Sequence, residues 1–145
     1  MLLAGGGFLL AVLWMDLMFD VQVLAHRGSA EVPEPVIASI AAYYRRVTTD
    51  ARPMSYAVSA AMLIVMIGVA GQIASGASRV AGVVSLALCG VPIALALRRI
   101  FPNAMRLGMR SDPPAEQSRL ARAICRDHLL CFACIAAFLT VQMFQ

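Results

Sequence analysis

Four long stretches without charge constrain this chain more than any motif does. Residues 2–15, 53–78, 80–97 and 129–145 contain no Asp, Glu, Lys or Arg. A helix that crosses a bilayer needs about 20 mainly apolar residues. The stretches therefore predict an all-α fold: an integral membrane four-helix bundle forming a single domain, residues 1–145, with spans near 2–24, 54–75, 80–98 and 121–143. With 61% hydrophobic and only 14% charged residues, the composition excludes an ordinary soluble domain. The N-terminus lacks a basic leader region, and Asp16 and Asp20 interrupt its apolar run before any convincing cleavage site. It reads as a true first span and not as a secretory signal.

Basic residues set the expected orientation. The chain has no lysine, and of its 12 arginines only Arg79 falls in the short turn between spans two and three. The other 11 flank the two long loops. The bias predicts a multi-pass protein of the cell inner (plasma) membrane with both termini outside and both long loops cytoplasmic. It also accounts for the net charge of +4 as topology and anionic-lipid contact, with no nucleic-acid module visible.

Within the first loop, Ile37, Ile40, Tyr44 and Val47 recur at helical spacing after Pro33 and Pro35. Arg45 and Arg46 adjoin the Tyr43–Tyr44 pair, a composition suited to a short helix lying in the membrane interface with its rings at headgroup level. The tyrosines could alternatively close over a substrate. Pro53 suits the first turn of span two, with Asp50 or a nearby threonine as cap. The second loop, RRIFPNAMRLGMRSDPP, reads as leaving the helix at Arg98 and restarting at Ser111 or Asp112, with Pro113 at the first helical position.

Length arithmetic draws polar residues into the bilayer. Residues 2–15 make a helix of only about 21 Å, short of the roughly 30 Å core, so span one must continue through Asp16 and Asp20. Residues 129–145 give about 25 Å, which pulls Arg126, Asp127 and His128 to the inner edge. With span one ending near Leu24, Asp20 lies about 6 Å inward and Asp16 about 12 Å; His128 lies about 10 Å inward if span four begins near Ala121. Asp16 and Asp20 share a helix face. Two such carboxylates in low dielectric need a cation or a shared proton, and Arg126 and His128 are the available partners, with Arg98 and Arg99 beyond. A carboxylate beside a histidine in an enclosed site makes an acid–base pair. The same groups can equally fix helix register without chemistry.

Other constellations are weaker. Cys131 and Cys134 form a C-x-x-C inside span four, but neither long loop carries the second cysteine pair that a thiol–disulfide enzyme needs, so the cysteines read as small buried hydrophobes. No H-x-x-x-H or E-x-x-H pair lies on one helix, so no metal and no cofactor is expected.

The order of parts resembles the anthrone-oxygenase-like family of small four-span membrane proteins. AGGGFLLAVLW is similar to that family's first span, and IFPNAMRL to its turn after span three, through Pro102, Arg106 and Leu107, with Asn103 displaced by one. RLARAICRDHLL resembles its approach to span four, with Arg126 and His128 forming the Arg-x-His pattern. The resemblance implies a lipid-soluble aromatic substrate. His128 or Asp20 would remove an acidic C–H proton, Arg126 would stabilise the enolate, and the carbanion would meet oxygen directly. The expected catalytic set is Asp16, Asp20, Arg126, Asp127 and His128; Gln22, His26, Tyr44, Arg98 and Asn103 are expected to bind substrate. The alternative is a non-enzymatic membrane subunit or an assembly or transport factor, in which the polar residues hold helices together or relay protons. Expected partners are membrane lipids, a lipophilic small molecule, and a second copy of the chain or a membrane partner protein.

Overall fold

The structure, a computed structural model, describes residues 1–76 and 79–144. Six α-helices follow in order: α1 (Leu2–Asp20), α2 (Glu34–Arg45), α3 (Arg52–Ser75), α4 (Arg79–Leu95), α5 (Phe101–Met109) and α6 (Pro114–Met143). A 3₁₀ segment, Val21–His26, prolongs α1, and π turns at Arg46–Asp50 and Ala96–Ile100 link α2 towards α3 and α4 to α5. Four helical segments are long and apolar enough to cross a membrane: Leu2–His26, Pro53–Ser75, Arg79–Met109 and Pro114–Met143. Large apolar side chains such as Trp14, Leu63, Ile67, Val83 and Leu97 point outward, as a hydrocarbon solvent demands and water would penalise.

The third segment corrects the sequence reading. The chain does not leave the helix at Arg98 but runs on to Met109. Pro102 lacks an N–H, and its ring clashes with a carbonyl four residues back in a regular α-helix. The π turn over Ala96–Ile100 widens the backbone just ahead of it, with the Phe101 N–H bonded to the Ala96 carbonyl, so the helix absorbs the proline. Ala51 rather than Asp50 is the N-cap of α3, and Pro113 caps α6 with Pro114 as its first residue. At the other end of α3, Gly76 adopts φ +72° and terminates the helix in the left-handed conformation that glycine accepts without strain.

Two cores stack along the bundle. One, built from Leu9, Val65, Val69, Cys89, Ile135 and Phe138, joins α1, α3, α4 and α6. The other, built from Ile37, Ile40, Ile100, Leu107, Ala121 and Ile124 with neighbouring buried residues, joins α2, α5 and the first half of α6. Leu13 of α1 packs against both. The apolar face of α2 is thus turned onto protein, against α5 and α6, instead of lying open to lipid. The approach is close: a Cβ on Gly108 would stand 2.9 Å from the Arg45 backbone nitrogen. At the opposite end, Gln142 joins three helices, accepting from Gln72 at 2.8 Å and donating to Ser85 at 2.8 Å. Cys89, Cys125 and Cys131 are buried and Cys134 half-buried, all as free thiols.

Candidate functional site

The polar groups of α1 and α6 meet where the two cores adjoin. Asp16 and Asp20 lie on adjacent turns of α1 and face α6. Asp20 is fully enclosed, at 0% exposure. Its Oδ2 lies 2.6 Å from His128 Nδ1, and its Oδ1 accepts a hydrogen bond from the Tyr44 hydroxyl at 2.6 Å. Asp16 repeats the arrangement one turn away: Oδ1 accepts from the Tyr43 hydroxyl at 2.6 Å, and Oδ2 stands 3.7 Å from His128 Nε2. The Tyr44 hydroxyl also lies 3.4 Å from His128 Nδ1. One imidazole is thus held between two carboxylates, each fixed by its own tyrosine.

The tyrosines owe their positions to the residues around them. Ile37, Ile40 and Ala41 bury one side of α2 and carry Tyr44 inward with them, while Phe19 stacks on the Tyr43 ring at a centroid distance of 4.1 Å. Burial, followed by the neighbouring carboxylates, pushes both phenols well above the ordinary range. Both remain protonated and therefore serve as hydrogen-bond donors.

Exposure divides the cluster. His128 is 4% exposed, whereas the side chain of Asp16 retains 14%, making the Asp16–Nε2 edge the more accessible one. The 3.7 Å separation there exceeds a hydrogen bond. A carboxylate on Nδ1 fixes the ring's orientation and leaves Nε2 to take up or deliver a proton. Among the described residues no group of three or more His, Cys, Asp or Glu side chains is arranged to hold a metal ion.

Of the residues expected in the site, Asp16, Asp20, Tyr44 and His128 come together. Arg126 does not join them. Its side chain is 69% exposed and contacts the neighbouring Asp127 at 3.3 Å, because it lies two residues, about 200° of helix, from His128. Asp127 is buried but faces Arg99, at 3.1 Å, and Arg126. Arg98 is exposed and lines an arginine-rich groove together with half-buried Asn103. Gln22 and His26 are half-buried in the 3₁₀ segment; the backbone carbonyl of His26, not its ring, is engaged, accepting from Arg122 at 3.1 Å. Tyr43 was missed as a site residue. Its sequence signal was the Tyr43–Tyr44 pair itself, which offers two hydroxyls to two carboxylates.

Comparison with protein-family models, with curated proteins and with solved structures finds no match for this chain.

Proposed function

We propose that this is a four-span inner-membrane protein in which His128, held by Asp20 and Tyr44, exchanges a proton with a weakly acidic, lipophilic small molecule. The observation that carries this reading is the unlike exposure of the two carboxylates around one imidazole. Asp20 is sealed at 2.6 Å from Nδ1, whereas Asp16, 3.7 Å from Nε2, sits at the accessible edge. The first fixes the base and the second borders the place where a proton can arrive. The distribution of arginines, 11 against one, supports both termini outside and α2 at the cytoplasmic face.

The resemblance to the anthrone-oxygenase-like family supplies a substrate class: a fused aromatic ketone with an acidic methylene. Transfer of one methylene proton to Nε2 leaves an enolate. With dioxygen as co-reactant, one oxygen atom enters a new carbonyl at that carbon and the other leaves as water with the two methylene hydrogens. The carbon loses four electrons and dioxygen gains them. Each tyrosine hydroxyl is already donated to a carboxylate, so the tyrosines position Asp16 and Asp20 around the imidazole and do not take over the role that sequence had given to Arg126.

The test uses anthrone in proteoliposomes prepared in D₂O, following deuterium entry at the methylene and formation of the quinone. The native protein is expected to exceed the protein-free rate, and His128→Gln to fall back by about 10²-fold or more. A native rate equal to the protein-free rate, or a His128→Gln variant that matches native protein, refutes the proposal. A second reading, that the cluster only fastens α1 and α2 to α6, is favoured by the complete enclosure of Asp20 with both oxygens already engaged. It predicts loss of stability in the same variants with no turnover in any of them.

A further inference from the structure

Away from the proton cluster, on another face of α6, lies a second polar feature that the proposed chemistry does not use. An open groove of about 760 Å³ runs between the π turn and start of α5 on one side and the first half of α6 on the other. Five arginines line it, Arg98, Arg99, Arg119, Arg122 and Arg126, together with Asn103; the remaining lining residues are alanines. On α6 the arginines recur at intervals of three and four, which places them on one stripe of the helix.

Carboxylates neutralise only part of this charge. Asp127 faces Arg99 and Arg126, and Glu116 is bonded to Arg119 at 2.6 Å. Two carboxylates against five guanidiniums leave an excess of three positive charges in the groove. Arg122 donates to the backbone carbonyls of His26, Ser29 and Ala30, neutral groups that hold the side chain in place without cancelling its charge. Among the described residues its buried Nε has no hydrogen-bond partner. The fork of donors on each guanidinium matches the tetrahedral oxygens of phosphate. Small alanine side chains leave space for a group of that size.

We infer that this groove is a binding site for a phosphate-bearing anion. Its place beside the ends of the membrane-crossing parts of α4 and α6 is the level of lipid headgroups, so the phosphate can be that of an anionic lipid or of a soluble phosphate ester. The inference is independent of the His128 chemistry.

Detergent-purified full-length protein separates the two sources. In the first arm, retention of phosphatidylglycerol and cardiolipin is compared with that of phosphatidylcholine by native mass spectrometry. In the second, inorganic pyrophosphate is titrated with a thermal-shift readout. The variant is Arg98→Gln with Arg126→Gln, two exposed side chains whose loss leaves the Arg122 backbone contacts intact. Selective retention of the anionic lipids, weakened about thirty-fold in the variant, identifies a lipid headgroup as occupant. Pyrophosphate binding with the same sensitivity, and no lipid preference, identifies a soluble phosphate. Equal retention of phosphatidylcholine with no pyrophosphate response overturns the inference, as does binding that the variant leaves unchanged.

Discussion

Removing the hydroxyls of Tyr44 and Tyr43 one at a time tests how the cluster is held. Both substitutions to phenylalanine keep the ring and delete one donor, so packing is conserved and the hydrogen bond alone changes. The consequences should differ because the acceptors differ. Asp20 has no exposure, and among the described residues its Oδ1 has no hydrogen-bond donor besides Tyr44. Leaving a buried acceptor without its donor costs about 1–3 kcal/mol. Asp16 keeps 14% of its side-chain exposure, so it is less tightly enclosed than Asp20 and depends less on the Tyr43 donor. Tyr43→Phe should then cost about 0.6 kcal/mol, the average for hydrogen bonds within membrane proteins. Stacking of Phe19 on ring 43 survives in that variant and adds nothing to the difference. Reversible unfolding in mixed micelles, titrated with SDS, measures both values. A double-mutant cycle between Tyr44→Phe and Asp20→Asn should show a coupling of about 1–3 kcal/mol, since the two side chains share one bond. Equal losses in the two phenylalanine variants, or additivity in the cycle, would refute the assignment of Asp20 as the sealed anchor of the cluster.

Four further outcomes are expected. Gly108→Ala places a methyl group 2.9 Å from the Arg45 backbone nitrogen and 3.1 Å from its Cα, atoms that cannot swing away, and should lower stability by about 1–3 kcal/mol in the same unfolding assay. Gly71→Ala, with open space around the added carbon, should be neutral or stabilising by up to about 1 kcal/mol. In a cysteine-free background, an impermeant maleimide should label a cysteine at Ser75 in intact cells and one at Ser29 only after the membrane is opened; the reverse pattern would invert the proposed orientation. Finally, the raised phenols of Tyr43 and Tyr44 make stability fall in alkali. The unfolded chain releases these protons from about pH 10, while the folded protein still holds them, so stability is intact below that pH and declines as pH rises towards the folded values. The double phenylalanine variant should show a shallower alkaline slope in micelle unfolding.

The spans were legible because hydrocarbon imposes one rule on every residue it touches, and length then forced Asp16, Asp20 and His128 to a similar level. Depth follows from counting along a helix. Azimuth requires knowing which face meets a neighbour, which explains why Arg126, two residues from His128, was grouped with it and in fact points elsewhere. Tyr43 and Tyr44 were ambiguous for a different reason. Tyrosine suits a headgroup layer and a buried carboxylate equally well, each being a place where an apolar ring ends in a polar tip. Only the packing of Ile37 and Ile40 against α5 and α6 decides between them, and that is a tertiary fact. The exit from the helix expected at Arg98 does not occur, because the π turn at Ala96–Ile100 lets the helix pass Pro102.

The two polar systems depend on a single helix register. On α6, Ile124, His128, Cys131 and Ile135 form the inward stripe, and Arg119, Arg122 and Arg126 form the groove-facing one. Apolar packing alone specifies this rotation weakly in a membrane, because lipid solvates a leucine as well as a neighbouring helix does. The His128–Asp20 contact and the Asp127–Arg99 pair specify it strongly, since turning α6 by one residue would strand a buried carboxylate or imidazole without its partner. The contact that orients the base therefore also holds the arginines in line with α5. Of the buried ionisable side chains, Asp127 and His128 lie on the helix whose rotation both sites require, and Asp20 faces it from α1.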